Sequence, residues 1–275
     1  MKTIIAPTDF SSISDNACLY AAKMAEDINA ELVLLHAIEL PIAVAEYPVT
    51  ENLFDETGME KELEALKIKL NAATNNKVNI QTKNVLSSPE YEIKELCKIK
   101  KPFAVVMGTH SYSSLDRFFL GSTTLYTAKH LRYPVLVIPS NVTYKPFKKI
   151  ALATDLEDIY KIPTHEIETI MNLFNAELEI FYVGKNEKNV DRKSLGSIML
   201  DHRLVHLQPQ FYFIENEDIF KGVISLAKEH ATDILMIIPK KHGPFHKSES
   251  KDFIFYADIP VMAIHENDMV ESANA

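Results

Sequence analysis

The sequence predicts an α/β protein made of two tandem doubly wound domains, each around a five-stranded parallel sheet. Three observations carry this. Short apolar runs alternate with longer helical stretches along all 275 residues, which calls for parallel strands joined by right-handed crossovers. Several of those runs are apolar on both faces, as strands covered on both sides must be. The chain also repeats itself. NAEL occurs at residues 29–32 and again at 175–178, 146 positions later. The same offset lays KTIIAPTDF, from Lys2, on KKIALATDL, from Lys148, and ELVLLHAIE on ELEIFYVGK. PVLVIP, from Pro134, resembles PVMAIH, from Pro260, at an offset of 126. Four matches in one order indicate two copies of one domain, residues 1–141 and 148–266, with VTYKPFK (residues 142–148) as the boundary.

In the first copy TIIAPT, ELVLLHA, VNIQTKNV, FAVVMG and PVLVIP read as strands. Residues 11–29 read as a helix with Ile13, Ala17, Tyr20, Ala21 and Met24 along one stripe. Residues 51–75 contain a second helix with Leu63, Leu66 and Leu70 inward. Residues 89–100 make a third, capped by Ser88 and opened by Pro89. A fourth runs from about Ser122 to Leu131. The second copy repeats the strands as KKIALAT, ELEIFYV, QFYFI, DILMIIP and PVMAI.

A net charge of -9 argues against a nucleic-acid or anionic-membrane surface, each of which needs a basic excess. It leaves room for a local anion site built from backbone amides. MKTIIAPTDF is too short an apolar run for a signal peptide, and no run of about eighteen apolar residues occurs. The two cysteines, Cys18 and Cys97, cannot form a disulfide framework, so the expected location is cytoplasmic.

Ligands of open parallel sheets bind beyond the carboxyl ends of the strands. PTDF, HAIE and MGTHSYSSLDRFFLGSTT stand at such ends. Gly108 stands where the fourth strand stops; lacking Cβ, it would let a ligand approach and tolerates positive φ. Gly121, Ser122, Thr123 and Thr124 precede a helical run whose first N–H groups suit phosphate. The same residues also read as a plain strand end and helix cap. Asp9 could hold a ribose hydroxyl or magnesium, or cap the first helix with Ser11.

The order of PTDF, LLHAIE and MGTHS…GST…PVLVIP resembles the universal stress protein family, and the duplication resembles its tandem-domain members. The family motif is glycine, two residues, glycine, nine residues, glycine, then Ser or Thr. Gly108, Gly121 and Ser122 match it, with Ser111 at the middle glycine. The resemblance implies strand order 3-2-1-4-5 in each domain. It implies a site for ATP, ADP or AMP, with or without magnesium, in the first domain. Pro7, Thr8 and Asp9 would border the adenosine and Ala37 the adenine. Gly108 to Ser114, with Thr109, His110 and Ser111 among them, would wrap ribose and phosphates, and Ser122, Thr123 and Thr124, after Gly121, would hold the phosphate chain. If the middle position needs a left-handed backbone, Ser111 costs about 1–2 kcal/mol. The resemblance also implies pairing through the last strands, as an internal pseudo-dimer of the two domains or a homodimer.

The second copy keeps Thr154 and Asp155, but Pro239 stands where Gly108 would be and has no amide to donate. This half is therefore expected not to bind nucleotide. Lys240, Lys241 and Lys247 read as a solvated basic loop. His202 and His206 would share a helical face and could ligate zinc; exposed histidines are the simpler reading, as for His242 and His246. A P-loop would have Lys after its phosphate-binding glycine, and here Ser122 follows Gly121. Arg117 and His110 could approach a phosphate, but no base–nucleophile pair is evident. The expectation is a nucleotide-binding stress-response regulator rather than a dedicated enzyme. A slow ATPase and a scaffold with vestigial sites are the alternatives.

Overall fold

The computed structural model describes residues 1–38, 56–110, 122–156, 158–184, 195–239 and 249–266. The first half contains β1 (Lys2–Pro7), α1 (Ser12–Asp27), β2 (Ala30–Ile38), α2 (Glu56–Ala73), β3 (Ile80–Leu86), α3 (Pro89–Lys100), β4 (Ala104–Thr109), α4 (Ser122–His130) and β5 (Val135–Pro139). The second contains β6 (Lys149–Ala153), α5 (Thr164–Phe174), β7 (Glu177–Gly184), α6 (Leu195–Arg203), β8 (Gln210–Glu215), α7 (Ile219–Glu229), β9 (Ile234–Ile237), α8 (Glu249–Tyr256) and β10 (Val261–Ala263).

Local chemistry explains the helix boundaries. The Ser11 hydroxyl accepts the Ser14 N–H and caps α1. Ser88 does the same for α3 through the Tyr91 N–H, with Pro89 in the first turn, where its missing N–H costs nothing. Lys101 then ends α3 in the left-handed region, φ 45°.

Among the described residues the strands form one sheet, in the order β3-β2-β1-β4-β5-β10-β9-β6-β7-β8. The first half thus has the order 3-2-1-4-5, and the second half's strands follow the same order. The pairing registers carry the sequence offsets. Thr3 pairs with Glu31, and Lys149 with Glu177, both members displaced by 146. All pairings within each half are parallel.

The exception lies between the halves. β5 and β10 are antiparallel, with Val137 opposite Val261, Leu136 opposite Met262 and Val135 opposite Ala263. Leu136 and Met262 are equivalent under the 126 offset and face each other, so the junction has a local two-fold. Alternate residues of each strand feed two cores. Ile4, Leu32, Leu34 and Leu136 join α1, α2, α5 and α6 on one face. Ile5, Val33, Leu35 and Val137 join α3, α4, α7 and α8 on the other.

Aromatic side chains of the 140–148 segment fasten the halves beside that junction. Phe147 is 3% exposed, and its ring centroid lies 4.5 Å from that of Phe174. Burial of such a side chain contributes roughly 2–3 kcal/mol. Tyr144 meets Tyr20 edge-on at 5.1 Å. The Asn16 amide donates to the Pro139 and Val142 carbonyls at 3.3 and 3.0 Å.

Candidate functional site

The strand order reverses between β1 and β4, and the residues beyond their carboxyl ends border the crevice where doubly wound sheets take ligands. From β1 come Pro7, Thr8 and Asp9. The Thr8 N–H donates to the Leu35 carbonyl at 2.9 Å, which extends the β1–β2 ladder past the strand end. The Thr8 hydroxyl accepts the Phe10 N–H at 3.0 Å and lies 3.1 Å from the Ser14 hydroxyl. This turn holds Phe10 at φ 61° and packs its ring against His36, centroids 4.3 Å apart and planes tilted by 38°. His36 Nδ1 in turn lies 2.8 Å from the Thr8 carbonyl oxygen.

Asp9 is exposed, and its carboxylate accepts the Ser11 N–H at 3.0 Å. Partial burial opposes its ionised form, but hydrogen bonds from Ser11 and Ser14 outweigh that and hold the carboxyl below its ordinary value. Asp9 is therefore ionised at neutral pH and acts as an acceptor. Ser11 caps α1 and Asp9 braces the cap, so the capping role falls mainly on Ser11.

From β4 come Gly108, Thr109 and His110, with Thr109 buried. Gly108 corrects one expectation. Its φ lies outside the left-handed region, and a Cβ there would meet the Ile13 side chain and carbonyl oxygen, both at 2.7 Å. The missing side chain makes room for α1 and is not needed for a positive φ. Ser111 and Gly121, the remaining motif positions, and Arg117 lie outside the described residues.

The first turn of α4 carries the three hydroxyls. Ser122 is exposed. Thr123 donates to Glu90 Oε1 at 2.7 Å. Thr124 is buried and donates to the Gly108 carbonyl at 3.1 Å, tying α4 to the end of β4. Of the three, Ser122 alone keeps its hydroxyl unengaged among the described residues. Ala37, half-buried near the end of β2, faces the α3/α4 side of the sheet with Val33 and Leu35.

The second half keeps the turn and changes its surroundings. Thr154 N–H donates to the Phe181 carbonyl at 3.1 Å, and the Thr154 hydroxyl accepts the Leu156 N–H at 3.2 Å. Leu156 has φ 56°, as Phe10 has 61°. Beyond it the helix starts late. By the 146 offset α5 should open at Asp158, the equivalent of Ser12, yet it opens at Thr164. Pro163 lacks an N–H and its ring excludes the carbonyl four residues back from a helix, so a 3-10 turn at Ile159–Lys161 replaces the first α-helical turns and the α-helix starts six residues late, about 9 Å along its axis. The Arg203 guanidinium satisfies the freed Ile159 and Ile162 carbonyls and the Thr164 hydroxyl. Gly196 of α6 roofs the turn so closely that a Cβ would lie 2.4 Å from the Leu156 carbonyl oxygen.

Register also corrects the placing of Pro239. Ile4 pairs with Ala104, and its equivalent Ile150 with Ile234. Four residues further on, Ile238 stands at the Gly108 position and buried Pro239 at that of Thr109. The shared helical face expected of His202 and His206 is corrected as well. His202 lies in the last turn of α6, while His206 lies in a separate 3-10 turn, with Nε2 3.0 Å from Glu168 Oε1. Among the described residues no three His, Cys, Asp or Glu side chains gather to hold a metal. His242, His246, Lys240, Lys241 and Lys247 lie outside the described residues. No helix among the described residues is long and apolar enough to cross a membrane.

Two participants went unseen in the sequence. Glu90 reaches Thr123 across 33 positions, and the contact of Phe10 with His36 joins the turn after β1 to β2. No local pattern announces either contact.

Parallel strands in the order 3-2-1-4-5, with polar residues from β1 and β4 flanking the switch point, define a doubly wound α/β protein. Residues 1–139 match the universal stress protein family, and the chain belongs to it. A universal stress protein of Methanocaldococcus jannaschii is 32% identical over 138 residues, covering 50% of this chain and 81% of that protein. A second from the same organism is 27% identical over 153 residues, covering 50% of this chain and 94% of that one. The crystal structure of a universal stress protein from Archaeoglobus fulgidus covers 96% of this chain and 98% of its own, with TM-score 0.72 at 15% identity. That last likeness is one of fold, and it extends through both halves.

Proposed function

We propose that the protein is a tandem-domain universal stress protein that binds an adenine nucleotide in its first half and acts as a regulatory module in stress response. One observation carries this reading. The two separated parts of the motif, Thr8–Asp9 and Gly108–His110, are brought to adjacent strands at the switch point, with the exposed Ser122 hydroxyl at the start of α4. The residues fit such a ligand. Asp9 is an ionised acceptor for a hydroxyl or amino group, and the first turn of α4 contains no acidic residue of its own, which leaves its amides attractive to phosphate.

The second half is a degenerate copy, joined to the first as an internal pseudo-dimer through β5 and β10. Its late-starting helix and the roof at Gly196 change the turn that corresponds to Thr8–Asp9, and Pro239 has no amide to donate at the position of Thr109. Binding rather than turnover is the proposed activity, with a cytoplasmic location.

The test is mass spectrometry of small molecules released by denaturing freshly purified protein, followed by titration with millimolar ATP. About one adenine nucleotide per chain is expected, lost in Gly121→Trp. No nucleotide in the purified protein and no binding in the titration would sink the reading. Turnover of labelled ATP that disappears in Asp9→Ala would replace binding with catalysis.

A further inference from the structure

The first turn of α4 has a carboxylate beside it that belongs to another helix. Glu90, in the first turn of α3, accepts the Thr123 hydroxyl proton at 2.7 Å. Among the described residues, no cation pairs with this carboxylate. Thr123 stands next to exposed Ser122, where the phosphate chain of the proposed nucleotide would lie. We infer that Glu90 makes this site selective for the magnesium complex of the nucleotide over the free polyphosphate. The inference rests on the nucleotide reading above.

Two effects act in the same direction. A fixed negative charge at the phosphate end opposes a bare triphosphate more than one whose charge is partly neutralised by a cation. The Thr123 hydroxyl, its single O–H engaged in the hydrogen bond to Glu90, presents lone pairs and no donor on its remaining side. It cannot then hydrogen-bond to a phosphate oxygen as a donor. A hydroxyl oxygen with its lone pairs free and an adjacent carboxylate are hard oxygen donors, the kind magnesium takes together with substrate phosphates, directly or through its waters.

The fold does not require this polar contact. α3 is capped by Ser88 and α7 by Asp218, so Phe220 holds the position of Glu90. In the second half α7 and α8 meet through Phe220 and Phe253, ring centroids 5.2 Å apart. An apolar contact serves the half that has lost its site, and a carboxylate stands in the half that keeps it.

Calorimetric titration with ATP at constant ionic strength tests this, in excess magnesium and in EDTA, on the full chain and on Glu90→Gln. The native protein should bind ATP at least about tenfold more tightly with magnesium. Glu90→Gln should bind free ATP more tightly than the native protein does, reducing the magnesium preference to about threefold or less. Far-UV dichroism melts establish that the variant is folded, and Thr123→Val should also lose part of the preference. An equal magnesium preference in native protein and Glu90→Gln would overturn the inference and leave nucleotide binding standing, with Glu90 a structural contact. No binding by either protein in either condition would remove both.

Discussion

A β-carbon at residue 108 would press on the Ile13 carbonyl, a backbone atom that cannot swing aside. Gly108→Ala is therefore expected to destabilise the protein by about 1–3 kcal/mol through overpacking, measured as a lower urea midpoint with unchanged slope. An unchanged midpoint would mean that α1 shifts freely. The sequence marks Gly108 clearly, because a glycine ends an apolar run at the family's spacing. Its neighbour is not legible, since the contact comes from a helix near the other end of the half. The hydroxyls of residues 122–124 show the same limit. They read alike in sequence, yet Thr124 turns inward to Gly108, Thr123 turns to Glu90, and Ser122 is left exposed.

The central strands were readable because burial on both faces leaves unbroken apolar runs, and the sheet order followed from the family resemblance. Helix starts were less readable where the two halves differ. The retreat of α5 is written in Pro163, but its consequence depends on Arg203 in α6, which replaces the lost hydrogen bonds. The same retreat leaves Glu166 in a first turn where burial pushes its carboxyl up to about 7. The native state then holds this proton more tightly than the unfolded chain, whose ordinary value is 4.5. Stability from this group is full below about pH 4.5 and is lost as pH rises through 7. Glu166→Gln should accordingly stabilise the protein at pH 8 by about 1–3 kcal/mol, allowing for residual solvation, and change little at pH 4. Denaturant melts at both pH values would show this; an equal effect at the two would rule out the titration.

The two halves behave as one molecule because the connecting segment is fastened at several points. Asp233, before β9, accepts the Lys148 and Lys149 N–H groups at 2.8 and 3.0 Å and pairs with Lys145 Nζ at 2.6 Å. Burial opposes its charge, but the Lys145 ion pair and the two amides prevail and hold its carboxyl below the ordinary 3.8. Its contribution is present above that value and disappears as pH falls through the lowered native one. Asp233→Ala should cost about 1–3 kcal/mol at pH 7, with the gap to the native protein narrowing below pH 4. A gap that stays constant between pH 7 and pH 3 would show that the charge is not what fastens the segment.

The closing of β10 against β5 also sets an order of events during synthesis. β5 ends at Pro139 and its neighbour begins at Val261, so roughly 120 residues must leave the ribosome before that flank is covered. At about 5–20 residues per second the interval is on the order of ten seconds. Throughout it a finished first half presents an uncovered apolar strand, and a nascent neighbour on the same messenger can offer the identical strand. Slower translation through the second half lengthens the time for which that strand is uncovered.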